Sequence, residues 1–362
     1  MAVTLADVAA RAGVSSATVS RVLNGNYPVS TRTRERVLRA VAELDYVVNG
    51  HARALAAATS DLVGVLVNDV ADPFFGLLAS ALQGEIGAGA GRPDGGKLAI
   101  VCNTGGSPDS ELTYLTLLER QRAAGVVLTG GAVEDAAHSA AVAARLARLT
   151  SSGTQVVLCG RPPLALPDGP PVLASLVFDD RGGARRLTEH LLSLGHRRIG
   201  YVTGPPGRST TRHRLEGHRA ALEARGLGPD TPEGEAAERL IVAGGYDRAS
   251  GYDAALELLR RDDAVTAVAA ANDTVALGVC AAFRDRGLDV PGDVSVAGFD
   301  DLPFGIDAFP ALTTVRVPLQ EAGARAGRLV MGRSDPPPGG VATVPTELMV
   351  RASTAPPRDV RP

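Results

Sequence analysis

The stretch Thr4-Leu-Ala-Asp-Val-Ala-Ala-Arg-Ala-Gly-Val-Ser-Ser-Ala-Thr-Val-Ser-Arg-Val-Leu-Asn24 decides the fold of the first part of this chain. Thr4 can cap a first helix, Asp7 completes a capping box with it, and Gly13 stands where a left-handed C-cap belongs. Ser15 can then cap a second short helix over 16–23. Two short helices joined by a tight glycine turn have the spacing of a helix-turn-helix, a motif that reads DNA.

A third helix is predicted after the turn-forming residues 24–28, with a cap near Ser30. Its inner face is expected to carry Val37, Leu38, Val41 and Leu44. The three helices predict a DNA-binding domain over residues 1–47. The segment 48–60 has helical composition but little polar support, so we expect a linker that becomes helical only against a partner.

The charge of the chain is unevenly distributed. Residues 1–60 hold seven arginines and four acidic residues, a net charge of +3, whereas the rest of the chain carries the balance of -6. A small basic head on an acidic body predicts that only the head binds a polyanion.

Other bulk features point to a cytoplasmic globular protein. The three cysteines include no CxxC pair and their number is odd, which argues against a disulfide framework or a zinc site and favours buried reduced thiols. The N-terminus lacks the apolar core of a signal peptide, and no apolar run reaches the roughly 20 residues of a membrane helix. We therefore expect a cytoplasmic protein with no membrane partner.

From residue 61 onward, apolar runs typical of buried strands alternate with helical stretches. The predicted strands cover 62–67, 98–102, 125–128, 155–159, 199–203, 267–271 and 294–297. The predicted helices include 75–86, 111–123, 182–194, 217–224 and 250–259. This alternation predicts an α/β fold with doubly wound parallel sheets. Some 300 residues of it suggest two lobes whose facing strand ends form a ligand cleft.

Several motifs follow one another along the chain. After residues 4–24 come residues 29–37 and 44–46, and then Asp72-Pro-Phe-Phe75, Gly195-His-Arg-Arg-Ile-Gly-Tyr201, Ala271-Asn-Asp-Thr-Val-Ala-Leu-Gly278, Val296-Ala-Gly-Phe-Asp-Asp301, Leu312-Thr-Thr-Val315 and residues 347–354. Taken in this order, the motifs resemble those of the LacI/GalR family of bacterial transcriptional regulators. The resemblance implies a periplasmic-binding-protein-like sensor over 61–355, with a first lobe of about 61–161 and 318–345 and a second of about 162–317. Residues 356–362 are expected to be a disordered tail.

The resemblance also assigns the DNA-contacting residues. It places Ser16, Ala17 and Arg21 at the positions that read bases, where Arg21 can bind a guanine through two hydrogen bonds. The expected phosphate contacts, which set register without reading sequence, come from Thr4, Ser15, Thr18, Asn24 and Thr33, and Arg53 is expected to add a further DNA contact.

Leu55 matches the family's leucine that wedges into the minor groove at the centre of the operator, beside its dimer mate. The alternative is an ordinary linker leucine packed on the sensor. The chain departs from the family pattern at Gly50, where proline is common, and glycine raises the entropic cost of ordering this segment.

On the sensor side, the resemblance implies a small-molecule effector, a sugar or sugar derivative, bound between the lobes. The expected contacts are Phe74, Phe75, Arg208, Thr210, Arg214, Tyr246, Asn272 and Asp300. For Arg214, Asn272 and Asp300 the alternative is a structural role in pairing between the lobes. Many sugar-responsive members carry an aspartate after the strand at 156–159, whereas this chain has Gly160 and then Arg161, which leaves room for a bulkier or negatively charged effector.

The expected function is a homodimeric repressor that binds a pseudo-palindromic double-stranded DNA operator and responds to the effector, with no cofactor or metal. A solute-binding protein of the same sensor fold does not account for residues 1–60. An enzyme would need converging catalytic groups, and neighbouring carboxylates such as Asp300 and Asp301 seldom meet at one site. The loop 203–208 lacks the Gly-Lys-Ser/Thr of a P-loop, and the histidines show no metal-ligand spacing.

Overall fold

The structure, a computed structural model, describes residues 3–24, 28–46, 60–88, 97–167 and 171–358. The chain separates into two compact units, Met1–Asp61 and Leu62–Pro362. The predicted linker helix at 48–59 lies outside the described residues. Within them, no helix is long and apolar enough to cross a membrane.

The described part of the first unit contains three helices: α1 (Leu5–Ala12), α2 (Ser16–Asn24) and α3 (Thr31–Glu43). The capping box predicted for α1 is present, since Thr4 Oγ1 accepts from the Asp7 amide while the Asp7 carboxylate accepts from the Thr4 amide at 2.8 Å. Gly13 closes α1 with φ of 63°, a left-handed conformation that glycine adopts without strain. The sequence therefore specifies this turn through local chemistry alone.

A small core joins the three helices, with Val8, Val19 and Val37 fully buried. One prediction for α3 was wrong. Leu38 is 48% exposed, and Ala40 occupies the inward position instead, because residues 37, 40, 41 and 44 follow the helical spacing. Arg36 ties α3 to the end of α1 by donating to the carbonyls of Ala12 and Gly13.

The second unit begins with a first lobe, built on a six-stranded parallel sheet. In chain order its strands are β1 (Leu62–Val67), β2 (Leu98–Asn103), β3 (Gly125–Thr129), β4 (Gln155–Cys159), β5 (Ala174–Phe178) and β11 (Val341–Val344), and in space they run β11-β5-β4-β3-β1-β2. Helices α4 (Pro73–Gly87) and α13 (Leu319–Val330) cover one face, and α5 (Pro108–Arg120) and α6 (Ala136–Ser151) cover the other.

The second lobe is built on a four-stranded parallel sheet in the order β7-β6-β8-β9. The strands are β6 (Ile199–Thr203), β7 (Ile241–Ala243), β8 (Ala267–Ala270) and β9 (Ser295–Ala297). Helices α7 (Asp180–Ser193) and α8 (Ser209–Glu223) pack on one face, and α10 (Arg248–Arg261) and α11 (Asp273–Asp285) pack on the other. Shorter elements complete it: α9 (Pro232–Arg239), α12 (Pro303–Asp307), β10 (Thr314–Arg316) and β12 (Glu347–Met349), the last two pairing antiparallel.

Two predictions about boundaries need correction. The first lobe does not end near residue 161, because β5 pairs with β4 and the chain leaves this sheet only after Phe178. The tail expected at 356–362 is ordered in its described part, where Pro357 is buried and Arg358 pairs with Asp293 at 2.6 Å; residues 359–362 lie outside the description. The three cysteines are free thiols, as predicted, with Cys102 and Cys159 buried and Cys280 half-buried.

Candidate functional site

A cavity of about 260 Å³ lies between the two lobes of the second unit, at the carboxyl ends of the strands of both sheets. Loops at these ends bring together residues far apart in sequence, which is where doubly wound folds bind ligands. All the residues expected to contact an effector line this cleft: Phe74, Phe75, Arg208, Thr210, Arg214, Tyr246, Asn272 and Asp300.

Arg214 is the central charge of the cleft and is only 3% exposed. Its Nε donates to Asp180 Oδ1 at 2.7 Å, and its Nη2 donates to Asp300 Oδ1 at 2.9 Å. Its Nη1 donates to the Ala271 carbonyl at 2.6 Å, and its guanidinium lies 3.7 Å from the centre of the Phe299 ring. All these partners belong to the second lobe, in which Asp180 is the first residue of α7, so Arg214 organises one wall of the cleft.

The carboxyl groups around Arg214 are strongly perturbed. Burial raises the pKa of Asp300 well above its ordinary value, and the positive charge of Arg214 opposes that rise. Burial likewise raises the pKa of Asp180 against the same opposing charge. One guanidinium thus serves two buried carboxyl groups, and both of these carboxyl groups line the cleft.

Tyr246 and Asn272 line the same wall. The Tyr246 hydroxyl bonds to Thr211 Oγ1 at 2.7 Å, and burial raises the pKa of this tyrosine to about 12, so the hydroxyl stays protonated. Asn272 caps α11, because its Oδ1 accepts from the Val275 amide at 2.8 Å. Its side chain is therefore held in place by a structural bond while lining the cleft.

Aromatic rings form the opposite wall. Phe74 and Phe75 meet edge to face with centroids 4.9 Å apart, and Phe74 meets Phe178 in the same way at 6.2 Å. Asp72 fixes this pair by capping α4, its Oδ1 accepting from the Phe74 amide at 2.9 Å. The second lobe therefore gives the cleft a polar wall, and the first lobe contributes these aromatic rings together with the polar side chains of Asn68, Asp69 and Asp72.

Gly160 does not leave the vacancy that the sequence suggested. Its φ is 81°, and a Cβ atom there would lie 2.8 Å from the ring of Phe178. The neighbouring Arg161 points away from the cleft, since it is 5% exposed and binds Glu111 through two hydrogen bonds of 2.9 and 2.6 Å. The expectation of extra room here was wrong because an aromatic ring from β5 fills the space.

The two lobes touch along one side of the cleft, through residues 132–134 and 207–209. The Glu134 amide donates to the Gly207 carbonyl at 2.8 Å, and the Ser209 amide donates to the Ala132 carbonyl at 3.0 Å. Arg208 reaches farther across and donates to the Gly106 carbonyl. We call these two segments the interlobe contact.

Sequence reasoning missed several cleft residues: Asn68, Asp69, Asp72, Phe178, Asp180 and Asp247. Asp180 is the clearest case, because an acidic residue at the start of a helix is what a helix N-terminus ordinarily carries. Its burial became visible only when α7 and α8 were placed together. Asp72 offered a signal, since it belongs to the Asp72-Pro-Phe-Phe75 motif that contributed its two phenylalanines.

Asp300 and Asp301 do not converge, as expected. Asp300 lines the cleft, whereas the Asp301 carboxylate accepts from Arg316 Nε at 2.7 Å and from Arg351. In the described part of the chain no cluster of three histidine, cysteine, aspartate or glutamate side chains could hold a metal ion.

In the first unit, Ser16, Ala17 and Arg21 share the exposed face of α2. The hydroxyl groups of Thr4 and Ser15 accept hydrogen bonds from helix-end amides, and those of Ser15 and Thr18 lie 2.9 Å apart. Thr33 pairs with Ser30 in the same way. Asn24 is the last residue of α2, and Arg53 and Leu55 lie outside the described residues.

Two family descriptions match the chain: bacterial regulatory proteins of the lacI family over residues 4–49, and a periplasmic binding protein-like domain over residues 188–354. The regulator MalR of Streptomyces coelicolor is 37% identical over 361 residues, which cover 98% of this chain and 97% of MalR. A lac repressor dimer bound to operator and the anti-inducer ONPF superposes with a TM-score of 0.75 at 27% identity, covering 98% and 100% of the two chains. A CelR–cellobiose complex does so with a TM-score of 0.66 at 32% identity, covering 97% and 99%.

The comparisons agree with the geometry of both units. The lacI-family match covers the three-helix head, and the periplasmic binding protein-like match lies within the two-lobed body. The chain belongs to the LacI family of bacterial regulatory proteins and is a DNA-binding transcriptional regulator.

Proposed function

We propose that this regulator is a homodimeric cytoplasmic repressor whose grip on its operator is set by a neutral sugar or sugar derivative in the interlobe cleft. The observation that carries the proposal is the make-up of the cleft: fixed hydrogen-bonding groups on one wall and aromatic rings on the other. Sugars suit this arrangement because they present hydroxyl groups at the ring edge and apolar C–H faces.

Charge favours a neutral ligand over an anionic one. Five aspartates line the cleft against two arginines, and both arginines are already bonded to protein oxygens. An anionic effector would face more carboxyl groups than free cations, whereas hydroxyl groups can donate to those same carboxyl oxygens. The related CelR, solved with cellobiose, supports a carbohydrate as the ligand class.

We infer that α2 lies in the major groove. Ser16, Ala17 and Arg21 stand on its exposed face, where their side chains can reach base edges. Thr4, Ser15, Thr18 and Thr33 lie at or within the first turn of helix N-termini, the places from which proteins contact phosphates. For Asn24, the last residue of α2, we infer a phosphate contact from the family resemblance alone. Arg53 and Leu55 would add contacts from the linker, Leu55 as a minor-groove wedge.

Two exposed apolar patches favour a dimer. In the first lobe, Leu98 and Ile100 are exposed on the edge strand β2, and Leu117 is exposed on α5. In the second lobe, Phe309 is fully exposed, with Ile306 nearby at 56%. A second copy of the chain would cover both patches and supply the second head that a two-fold operator requires. The lac repressor dimer on its operator is a related assembly.

Regulation then requires that ligand binding in the cleft be coupled to the arrangement of the linker segments. A ligand that binds one arrangement of the lobes more tightly shifts the population toward it. In a dimer this changes the separation of the two linker segments. An effector that separates them melts the linker helices and releases DNA, and one that draws them together strengthens binding.

The test is a thermal-shift screen of neutral sugars, sugar phosphates and nucleosides on the full chain, followed by operator binding with each hit. A ligand at 100 times its dissociation constant stabilises the folded state by about 2.7 kcal/mol. The proposal expects a neutral sugar to raise the melting temperature and to change operator affinity. A sugar phosphate as the sole hit would contradict the ligand class, and turnover of any hit would favour an enzyme.

A further inference from the structure

The chain passes between the two lobes of the second unit at three places. Residue 179 lies between β5 of the first lobe and α7 of the second, residues 345–346 lie between β11 and β12, and residues 317–318 lie between β10 and α13. We call these stretches the crossing segments. Lobes that move as rigid bodies absorb the motion in a few backbone torsions of such connections. A side chain that restrains the crossing segments therefore restrains the angle between the lobes.

Arg186, on α7, binds two of the three crossing segments at once. Its Nη2 lies 2.9 Å from the Thr346 carbonyl oxygen, 2.6 Å from Thr346 Oγ1 and 3.1 Å from Asp179 Oδ2. Because this nitrogen carries two hydrogens, it donates to two of the three oxygens at a time. One guanidinium thus ties a helix of the second lobe to the segments at 179 and 345–346.

The same two crossing segments also bind each other. Thr346 Oγ1 donates to the Asp179 carbonyl at 3.1 Å, and the Asp179 amide donates to the Val344 carbonyl at 3.1 Å. The Thr346 hydroxyl therefore accepts from Arg186 and donates to Asp179. Because a hydrogen bond to one side of a hydroxyl strengthens the bond on its other side, the three residues act as one network.

The first turn of α7 packs directly against the segment at 345–346. Gly183 has no side chain, and a Cβ atom there would lie 2.8 Å from Thr346 Oγ1 and 2.8 Å from the ring of Phe299. This close approach brings Thr346 within reach of Arg186, one turn farther along the same helix. Arg186 is not among the residues that line the cleft, and its side chain is 40% exposed.

We propose that Arg186 is a positioning residue for regulation, which holds two crossing segments in the arrangement that forms the interlobe contact and so limits how often the lobes separate. It acts on the angle between the lobes without lining the cleft. The effect of that angle on operator affinity rests on the function proposed above, whereas the restraint on the lobes does not.

The restraint is tested by hydrogen exchange of the full chain, followed at the amides of Glu134 and Ser209. These amides donate to carbonyls of the opposite lobe, so their exchange reports how often the lobes part. Arg186→Met should speed exchange at both amides by about threefold to tenfold, the factor for one lost hydrogen bond. The amides inside β3 should exchange as in the wild type, because they lie within one lobe.

Arg185→Met is the matched control. Arg185 is the neighbouring residue on α7, carries the same charge and pairs with Glu189 of the same helix at 2.7 Å. Its loss should leave exchange at Glu134 and Ser209 unchanged. Equal acceleration in Arg185→Met, unchanged exchange in Arg186→Met, or an equal acceleration in β3 would overturn the proposal.

Thr346→Val is a second variant, which keeps the test decisive if Arg186→Met folds poorly. It removes the hydroxyl and keeps the side-chain shape, and it should also speed exchange at the two interlobe amides. Because both side chains belong to one network, the double substitution should accelerate exchange by less than the product of the two single effects. Independent effects that multiply in full would contradict a shared restraint.

The effect on regulation is measured separately, by fluorescence anisotropy of the effector-free chain on the operator duplex. Arg186→Met should change operator affinity by about threefold or more, since it shifts the population of lobe arrangements by that factor, whereas Arg185→Met should not. Faster exchange with unchanged operator affinity would overturn the influence on regulation and leave the restraint in place. Failure of every sugar in the thermal-shift screen would count against the proposed effector alone.

Discussion

The three-helix head (α1–α3) and the interlobe cleft both use arginine as a candidate binding residue, but the arginine is exposed in the head and buried in the cleft. Arg21 stands exposed on a short helix, within six residues of the other candidate base-reading positions. Arg214 is buried between carboxyl groups that come from positions 180 and 300. A surface that reads DNA can be encoded in one short segment. A cavity that selects a small molecule is assembled from loops at the ends of strands in two sheets.

The most damaging single change we expect is on the cleft side of this comparison. Arg214→Met leaves Asp180 and Asp300 buried without their cation, which should lower the free energy of unfolding by about 3–5 kcal/mol at neutral pH. Urea denaturation measures this. Since both carboxyl groups can take up protons, the deficit should shrink as the pH falls.

Arg212→Met is the matched control for that variant. Arg212 is half-exposed and pairs with Glu134 and Glu216, so its loss should cost about 1 kcal/mol or less. Equal destabilisation by the two substitutions would show that Arg214 does not organise the cleft.

On the head side, Arg21→Ala should cost about 1–3 kcal/mol in binding to the selected operator and much less in binding to random DNA. The unfolding of the second unit should not change. Fluorescence anisotropy on both duplexes at one salt concentration is the measurement. Arg39→Ala removes the same charge from the exposed surface of α3 and is the control. An equal loss of operator specificity in Arg39→Ala would show that Arg21 does not read bases.

The linker supplies an intermediate case. Leu55→Ala should weaken operator binding by about tenfold or more and binding to random DNA little, because a wedge acts only where the DNA can be kinked at the operator centre. Gel-shift titrations with the two duplexes test this, with Leu38→Ala on exposed α3 as a control for loss of a leucine. Equal losses on both DNAs would make Leu55 an ordinary linker residue.

In the proposed dimer, the DNA-binding unit depends on the second unit for its second copy. Phe309→Arg should raise the dimer dissociation constant by about tenfold or more, since it places a charge in an apolar contact that must desolvate. Analytical ultracentrifugation gives the constant. Val350→Arg, at another exposed apolar position, is the control. An unchanged dimer dissociation constant in Phe309→Arg would show that the dimer interface does not include this patch.

The remaining prediction concerns proton uptake in the body. Burial raises the pKa of Asp273 to about 7 from its ordinary 3.8, so between these values the folded chain holds a proton that the unfolded chain releases. Stability should fall as the pH rises through this window, by up to about 1.4 kcal/mol per pH unit.

Asp273→Asn should reduce this pH dependence by the contribution of one group, while Asp180 and Asp300 keep theirs. The exposed Asp285→Asn should leave the dependence unchanged. Urea titrations at pH 5 and above pH 7 compare them. Parallel profiles for wild type and Asp273→Asn would exclude Asp273 as the source. The head lacks any such buried carboxyl group among its described residues, so the effect belongs to the second unit.

The same contrast explains how far the sequence could predict the structure. The caps and turn of the head were predictable because the responsible residues are neighbours in sequence. Strands such as β1 and β4 were predicted to the residue, since their apolar runs are continuous. Strand β5 was missed because Ser175 interrupts its apolar run. A buried serine is tolerated there because its hydroxyl donates to the Arg161 carbonyl, a contact that the local sequence does not reveal.

Helix α11 was missed for a different reason. Its buried residues surround most of its circumference, so it lacks the polar stripe that marks a surface helix. The cleft residues Asp180 and Phe178 have no local signal in the sequence. Asp180 pairs with Arg214, 34 residues away, and Phe178 packs on Phe74, 104 residues away, from a strand placed by its pairing with β4.

The ring of Phe178 beside Gly160 has a consequence for anyone who wishes to change what this regulator senses. Position 160 cannot be varied alone: a side chain there must adopt a left-handed backbone conformation and also displace an aromatic ring. The shape of the cleft at this edge therefore depends on two positions together: 160, directly after β4, and 178, the last residue of β5. A search over single substitutions would miss it, whereas a library that varies 160 and 178 together would reach ligands that neither change alone admits.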